Sequence, residues 1–365
     1  MTPSPGPFQQ WCDTALTARL DRLSRRRAPR LPAPQVLVTA PGARLAYGDV
    51  DLPFHTASVG KVLVAVLTAR LIQDGLLDLD VPVSRLAPGL DLSRLPAAPG
   101  VDLRRDLTVD HLLSHRSGLP DPVLPPRGHR TECSLAALLA DPARRWTTAE
   151  VVAQTEGMAP TGAPGRRFAY GDASYALLQC VLEEVAGAPY PELLREHVLA
   201  PAGMSHTGFP HCTCTDEELR TLRIAPIWVR GHEFSHLPSL SAGTADGGAV
   251  TTLGDLERLQ TAVHEEGLVS PALLARLSRP RSRLRAGIYY GTGMCVLRLD
   301  ELVPVRRRRL PVGVGGLGLW ATHCFYYPEL GAQVVMNFHS TRQMARSFRL
   351  HMFIAKGLAA SAGSS

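Results

Sequence analysis

The stretch Phe54-His-Thr-Ala-Ser58-Val-Gly-Lys61 immediately precedes an almost wholly apolar segment, 62–72, which ends at Asp74-Gly75. An apolar run closed by glycine predicts a buried helix. Ser58 would lie at the start of that helix and Lys61 one turn later, so the two side chains share a face. Backbone N–H groups at a helix start favour negative charge, and burial lowers the pKa of an amine towards a value useful for a base. The stretch therefore predicts a nucleophilic serine activated by a lysine.

The composition of the chain makes Lys61 unusual. Of the 39 basic residues only Lys61 and Lys356 are lysines, and the others are arginines. Arginine stays protonated at any usable pH, whereas a buried lysine can lose its proton and act as a base. A lysine beside an apolar segment therefore favours a chemical role. The Ser-x-x-Lys spacing is weak evidence alone, since a helix-capping serine and a solvated lysine give the same pattern.

The overall composition is that of a globular protein. The 365 residues are 45% hydrophobic and 20% charged, which predicts one large domain or two interlocked lobes. A net charge of +6 with only 6% aromatic residues disfavours a nucleic-acid partner. There is no secretory signal pattern and no apolar run long enough to cross a membrane. Seven cysteines do not form a disulfide framework, so we expect a cytoplasmic protein.

Strand-like and helix-like segments are unevenly distributed along the chain. The strand-like segments lie near both ends, at 35–39, 43–47, 287–299, 321–327 and 333–338. The segments between them have mainly helical patterns. This order predicts an α+β fold: an antiparallel sheet formed from both termini and flanked by helices, with an inserted, mostly helical lobe. The expected domains are a sheet domain of residues 1–75 and 246–365 and an inserted helical domain of residues 76–245.

Further characteristic blocks follow the Ser58 stretch in order along the chain. They are LTVDHLLSHRSGLP at 107–120, FAYGDASYALL at 168–178, LAPAGMSHTGF at 199–209 and GGAVTTLGDL at 247–256. Together these blocks resemble the serine β-lactamase superfamily, and specifically its class C β-lactamase-like branch. That branch also contains D-alanyl-D-alanine carboxypeptidases, esterases and transacylases. The resemblance implies a β-lactamase/transpeptidase-like fold.

The resemblance also implies roles for individual residues. Ser58 would be acylated, and Lys61 would take its proton. Tyr170 matches the tyrosine of the family's second box, which helps to pass the proton to the leaving group. The N–H of Ser58 and a second amide near Leu317 or Leu319 would form the oxyanion hole.

Two departures from the family pattern concern substrate binding. The second box normally ends in asparagine, but Asp172 stands here, and a carboxylate cannot donate a hydrogen bond unless protonated. Asp172 either holds Lys61 charged or caps the following helix. The third box aligns with Val314-Gly315-Gly316, before Leu317, and lacks its basic residue, which argues against penicillin or peptidoglycan as substrate. The run Arg306 to Arg309 is either a replacement charge or a solvated surface.

Two alternatives stay open at this point. His232, Glu233 and His236 match the HExxH zinc-protease pattern, which needs a continuous helix and a third ligand. A non-catalytic binding protein that keeps the fold is the other alternative. The favoured prediction is ping-pong acyl transfer without cofactor or metal, by an esterase, amidase or transacylase. A small-molecule acyl donor, such as a specialised metabolite, would acylate Ser58, and water, an amine or an alcohol would accept the acyl group.

Overall fold

The strands of the protein make one large sheet and two small ones. The computed structural model describes residues 6–229, 231–302 and 309–362. Within these ranges the strands are β1 (Gln35–Ala40), β2 (Ala43–Tyr47), β3 (Phe54–His55), β4 (Trp228–Val229), β5 (His232–Glu233), β6 (Val250–Thr251), β7 (Ser282–Arg285), β8 (Ile288–Tyr290), β9 (Cys295–Leu297), β10 (Gly313–Gly318), β11 (Thr322–Tyr327) and β12 (Ala332–Asn337).

The helices lie mainly between β3 and β7 and at the two ends of the chain. They are α1 (Pro7–Trp11), α2 (Thr17–Arg25), α3 (Gly60–Gln73), α4 (Val83–Leu86), α5 (Leu103–Asp106), α6 (Val109–Leu113), α7 (Leu135–Ala140), α8 (Thr148–Ala153), α9 (Ala173–Ala186), α10 (Tyr190–Leu194), α11 (Pro210–Thr213), α12 (Asp216–Thr221), α13 (Leu253–His264), α14 (Pro271–Ser278) and α15 (Met344–Ala362). A π-helical segment, Cys12–Leu16, joins α1 to α2, and a short 3₁₀ turn, Ala57–Val59, leads into α3.

The large sheet has eight strands in the order β2-β1-β12-β11-β10-β9-β8-β7. Its neighbouring strands pair antiparallel, as between Val36 and Met336 of β1 and β12. The strands β1 and β2 both come from the start of the chain: β2 pairs with β1, and β1 pairs with β12 from the other end of the chain. The expected α+β fold with an antiparallel sheet built from both ends is confirmed.

Each face of this sheet is covered by helices. On one face α2 and α15 pack against residues such as Val36 and Met336. On the other face α3, α9 and α13 pack against residues such as Leu37 and Val335. Alternating strand residues point to opposite faces, so β1 contributes to both cores. Helix α3 is apolar all round and is buried along nearly its whole length.

Within the described ranges, no helix combines the length and apolar character that crossing a lipid bilayer requires.

Candidate active site

Ser58 lies in the short turn that carries the chain from β3 into α3. The residue before it, Ala57, has φ of 45°, which is the sparsely populated left-handed region for a residue with a side chain. Such strain is stable only where the surroundings hold the backbone in place. The turn leaves Ser58 half-buried while Ala57 and Val59 on either side are buried.

Two glycines hold the Ser58 turn from opposite sides. A Cβ atom on Gly318 of β10 would lie 2.7 Å from the carbonyl oxygen of Thr56 and 3.0 Å from the Cβ of Ala57. A Cβ atom on Gly247 would lie 2.8 to 2.9 Å from backbone atoms of Ala57. Only glycine permits such close approach of two backbones. Close backbone contacts from Gly247, at the start of the GGAVTTLGDL block, and from Gly318 of β10 therefore fix the position of the Ser58 turn.

The Lys61 amine is buried beside Ser58, and its hydrogen-bonding partners are Ser58, Asp172 and Asp246. Its Nζ atom is 3.2 Å from Ser58 Oγ and 2.7 Å from Asp172 Oδ1. Asp246 contributes its carbonyl oxygen and its Oδ2, both 3.4 Å from the same Nζ. The lysine is only 1% exposed, so these contacts replace the water that it has lost. The predicted neighbourhood of Ser58 and Lys61 is present in the structure.

The contact with Asp172 fixes the charge of Lys61. Burial by itself lowers the pKa of Lys61, but Asp172, Tyr170 and Asp246 together outweigh burial and raise this pKa well above its usual value. Burial likewise raises the pKa of Asp172, but Lys61 and the hydrogen bond from Asp246 together outweigh burial and lower it. The Asp172 side chain makes no capping hydrogen bond to α9. Asp172 thus occupies the N-cap position of this helix, and its carboxylate forms the ion pair with Lys61 instead of capping the helix.

Two further carboxyl groups surround Asp172, and the sequence interpretation did not include them. Asp246 shares a side-chain hydrogen bond with Asp172, and burial followed by the charge of Asp172 raises the pKa of Asp246 well above its usual value. Burial and the charge of Asp172 also raise the pKa of Asp121 to about 7. The opposite directions of the two pKa shifts favour the shared proton on Asp246, which then donates to Asp172. Its position just before Gly247-Gly248, a quoted block, was the signal available in the sequence.

Tyr170 completes the polar end of the site. Its phenol group is hydrogen-bonded to Ser58, and burial raises the pKa of Tyr170 to about 12. The Lys61 amine lies 5.3 Å from the centre of the Tyr170 ring, and the ring of His115 packs 4.2 Å from it, centre to centre. The structure thus brings Ser58, Lys61 and Tyr170 together, as the family resemblance implied.

The expected third box lies partly outside the site. Leu317 lines the cavity beside Ser58, whereas Val314, Gly315 and Gly316 are not among its lining residues. Gly316 packs instead against Val59 and Val62 of the helix start. The cavity-lining part of β10 and the turn after it runs from Leu317 to Trp320, so it begins three residues after Val314, where the alignment placed the start of the third box.

The segment from Leu317 to Trp320 also contains the two candidates for the second oxyanion-hole amide, the N–H groups of Leu317 and Leu319. The N–H of Leu317 is hydrogen-bonded to the thiol of Cys295, which lowers the pKa of that thiol against the larger effect of burial. The N–H of Leu319 is therefore the better candidate partner for the N–H of Ser58. No basic residue occupies this strand, and Arg306 to Arg308 of the upstream run lie outside the described residues. Arg285 is the cation that the described residues place at the rim.

Ser58 opens into a cavity of about 240 Å³ whose walls are largely apolar. Its polar lining includes Tyr170, Asp172, Asp246 and His55, and burial lowers the pKa of His55 to about 4, so this histidine is neutral. The rest of the lining is formed mainly by aliphatic and aromatic side chains from two apolar clusters: Ile227, Leu240, Leu319 and Trp320 on one side, and Val123, Leu138 and Ala242 on the other.

The zinc-protease alternative is wrong. His232 and Glu233 form the short strand β5, paired with β4, and not a helix. The Glu233 carboxylate accepts a hydrogen bond from the N–H of Ser235, and the His236 ring contacts the Leu222 carbonyl at 2.9 Å. The two histidines therefore do not project from one helical face, as the motif requires. Among the described residues no group of three or more potential ligands is arranged to hold a metal ion.

The sequence is similar to those of known enzymes. AmpH, a D-alanyl-D-alanine-carboxypeptidase/endopeptidase of Escherichia coli (strain K12), is 28% identical over 215 residues, which are 58% of this chain and 48% of AmpH. Monacolin J acid methylbutanoyltransferase of Aspergillus terreus is 30% identical over 174 residues, 44% of this chain and 39% of that enzyme. The chain thus spans about half or less of the length of these curated relatives.

Solved structures show the same fold. D-amino acid amidase from Ochrobactrum anthropi SV3, complexed with L-phenylalanine, superposes with a TM-score of 0.76 at 20% identity, covering 96% of this chain and 99% of the amidase. EstCE1, a hydrolase with promiscuous acyltransferase activity, gives a TM-score of 0.73 at 22% identity, covering 95% of this chain and 99% of EstCE1. A family model described as Beta-lactamase matches residues 26–359. Because that match spans nearly the whole chain, the protein belongs to the Beta-lactamase family.

Proposed function

We propose that the protein is a serine acyl-transfer enzyme that works through an acyl-enzyme at Ser58, with a small-molecule ester or amide as donor. The observation that carries this proposal is the position of Ser58 Oγ, 3.2 Å from Lys61 Nζ, at the polar end of an otherwise apolar cavity. The nucleophile, a proton carrier and space for a substrate meet at one point, as covalent catalysis requires.

The acylation step follows from these positions. Ser58 Oγ attacks the carbonyl carbon of the donor and loses its proton, and the N–H groups of Ser58 and Leu319 stabilise the oxyanion that forms. The bond from the carbonyl carbon to the leaving group then breaks, and Tyr170 passes a proton to the departing alcohol, thiol or amine. In deacylation, water or an acceptor alcohol or amine attacks the ester of Ser58 and regenerates the hydroxyl.

The path of the first proton depends on Asp172. A charged amine has no lone pair, so Lys61 becomes a base only when it gives up a proton. That proton can move along the 2.7 Å contact to Asp172, which converts an ion pair into a neutral pair without creating new charge in the buried site. We propose that Lys61 acts as the base in this neutral form and that Tyr170 relays the proton.

The relatives support acyl transfer, but they do not define whether water or another acceptor takes the acyl group. One named relative is a carboxypeptidase/endopeptidase and another is a methylbutanoyltransferase, so hydrolysis and transfer both occur among them. Which outcome prevails depends on how well the site excludes water during deacylation. We propose no cofactor for either step. The seven free cysteines favour a cytoplasmic location, where thiols stay reduced.

Intact-mass measurement of the protein after mixing with activated acetyl and butanoyl esters tests the proposal. The wild type is expected to gain the mass of one acyl group, and the Ser58→Ala variant to gain none. Decay of the adduct is then compared in water and in a solution of a small amine, which separates hydrolysis from transfer. An absence of any adduct on the wild type would favour a non-catalytic binding protein instead.

A further inference from the structure

The walls of the cavity differ sharply from its catalytic end. Beyond Ser58 and its polar partners, the inner surface is made of buried aliphatic and aromatic side chains, with Ile227 0%, Leu138 3% and Trp320 6% exposed. These side chains present no hydrogen-bonding atoms except the indole N–H of Trp320. A substrate group that enters this end must therefore lose its water without gaining polar contacts, which only an apolar group does favourably.

The two ends of the cavity differ in solvent exposure, and this difference indicates where each part of the acyl donor would bind. The rim carries Leu124, which is 53% exposed, and Arg285, also exposed, whereas the inner end is closed by the buried side chains. A leaving group must depart and an acceptor must arrive while the acyl group stays on Ser58. The open side therefore suits the leaving group and the acceptor, and the closed apolar end suits the acyl chain.

Charge reinforces this division. Asp172 and Asp246 both line the cavity near Ser58, and Asp172 is ionised. The charge of Asp172 is balanced by the Lys61 ammonium 2.7 Å away, so a charged group on the acyl chain finds no free counter-charge there. Arg285 lies at the rim, with its guanidinium 5.3 Å from the Phe348 ring, and so cannot compensate a charge at the closed end. A carboxylate or an ammonium group on the acyl chain would therefore lose its water at the apolar walls without gaining a partner.

We infer that the acyl donor carries an uncharged, apolar acyl chain of about four to eight carbon atoms, held between Leu138, Ile227 and Trp320. The inference rests on the proposed acyl-enzyme at Ser58. A cavity of about 240 Å³ exceeds the ~150 Å³ apolar cavity that takes up benzene, a molecule of six carbon atoms, which supports a chain of medium length. Each methylene buried from water raises kcat/KM about fourfold until the cavity is full.

The test is the acylation rate of the wild type with one series of esters that share a leaving group. The series runs from acetyl to dodecanoyl and includes two charged chains of matched length, hemisuccinyl and 4-aminobutanoyl. We expect kcat/KM to rise about fourfold per methylene up to six or eight carbons and then to level or fall. Both charged esters are expected to react about a hundredfold more slowly than the pentanoyl ester.

Variants on the cavity wall add a second measurement. Ala242→Leu adds volume at the closed end of the cavity and is expected to move the chain-length optimum to shorter chains. Leu124→Ala changes only the exposed rim and is expected to leave the chain-length optimum in place, so it serves as the matched control.

The outcomes separate this inference from the proposed function. A flat chain-length profile, or a preference for either charged ester, with acylation still at Ser58, overturns the apolar-chain inference and leaves the proposed function intact. No acylation by any ester, including acetyl, overturns both. An optimum at medium chain length that Ala242→Leu shortens supports both.

Discussion

At the scale of single residues, the proposed mechanism depends on one proton between Lys61 and Asp172. Their 2.7 Å contact joins the proposed base to a carboxylate where the family's second box has asparagine. The hydrogen bond with Asp246 lowers the pKa of Asp172 and so favours its ionised form. In the proposed mechanism, the lysine stays charged until Asp172 accepts its proton.

Asp172→Asn tests this coupling through the pH dependence of acylation. Without the carboxylate, burial acts on Lys61 with less opposition, and the pKa of the amine falls. Because only the neutral amine is a base, the rise of kcat/KM with pH is expected to shift at least one pH unit lower than in the wild type. The double variant with Asp246→Asn removes the second carboxyl group and is expected to shift the profile further. Identical profiles for all three proteins would show that Asp172 does not control the base.

Asp121→Asn tests how the raised pKa of Asp121, beside Asp172, affects the free energy of unfolding. The pKa of Asp121 is about 7 in the folded protein, above its unfolded value, so the unfolded chain loses this proton at lower pH. The free energy of unfolding therefore falls as pH rises from about 4 to 7. Asparagine can still accept the N–H bonds of Val123 and Leu124 but does not titrate.

The variant is therefore expected to gain stability over the wild type by roughly 2–3 kcal/mol between pH 5 and pH 8. Urea denaturation at the two pH values measures this difference. The matched control is Asp141→Asn, at an exposed aspartate, for which the difference between variant and wild type should not change. An equal change in both variants would contradict the assignment.

At the scale of elements, the Ser58 turn is positioned by the two backbones that press on it. Gly318→Ala would place a methyl group 2.7 Å from the Thr56 carbonyl oxygen, so the turn or β10 must move. A displacement of about 1 Å at a nucleophile costs about a hundredfold in rate. We expect a hundredfold slower acylation of Ser58, measured below the melting transition, together with a stability loss of about 1–3 kcal/mol.

A glycine in a helix supplies the control for that substitution. Gly254 lies in α13, and a Cβ atom there would meet nothing closer than 3.6 Å. Gly254→Ala is expected to stabilise the protein by about 0.5–1 kcal/mol and to leave the acylation rate unchanged. Equal rates for the Gly318 and Gly254 variants would show that the close approach does not position Ser58.

Elements with strong local signals were predictable from the sequence. The apolar run before Asp74-Gly75 predicted α3, which the structure extends to Gly60–Gln73. The start of α8 also carries a local sequence signal, the capping box of Thr147 and Glu150. The strand β10 is not among the predicted strand-like segments, because its sequence is rich in glycine and has no alternation of apolar and polar residues. Its register against the Ser58 turn comes from tertiary contact, so the sequence could not show which of its residues line the cavity.

The same limit applies to the site. Ser58, Lys61 and Tyr170 lie in recognisable blocks, and their proximity was expected. The contacts of Asp121 and Asp246 with Asp172 join parts of the chain far apart in sequence, and no local pattern shows such a meeting. The apolar cavity likewise combines residues from many loops, each of which alone resembles an ordinary core residue.

At the scale of the whole molecule, the first helices of the chain close the outer face of the sheet. Leu16 and Leu20 are fully buried against strands from the other end of the chain, beside α15. Trp11 packs on Gly357 so closely that a Cβ atom there would lie 2.6 Å from the indole ring. The helices from the two ends of the described chain are thus part of one core, whereas the helix that follows Ser58 packs on the opposite face of the sheet.

Leu16→Ala tests the contribution of this packing. Removal of a fully buried leucine side chain is expected to lower the free energy of unfolding by roughly 2–5 kcal/mol, measured by urea denaturation. Acylation of Ser58 at low temperature should be unaffected, because Leu16 touches none of the catalytic residues. The control is Leu76→Ala, at a leucine that is 48% exposed, with an expected loss below about 0.5 kcal/mol. Similar losses in the two variants would mean that the terminal helix does not stabilise the sheet.

The central claim, that Ser58 carries the acyl group, is tested most directly by mapping the acyl mass on the protein. Trypsin cleaves after Arg44 and Lys61 and releases a peptide, residues 45–61, in which Ser58 is the only serine. After a brief reaction with a hexanoyl ester and an acid quench, the hexanoyl mass is predicted on this peptide, at Ser58 by fragmentation, and on no peptide of the Ser58→Ala variant. Acylation at any other residue, or equal labelling of the variant, would contradict the claim.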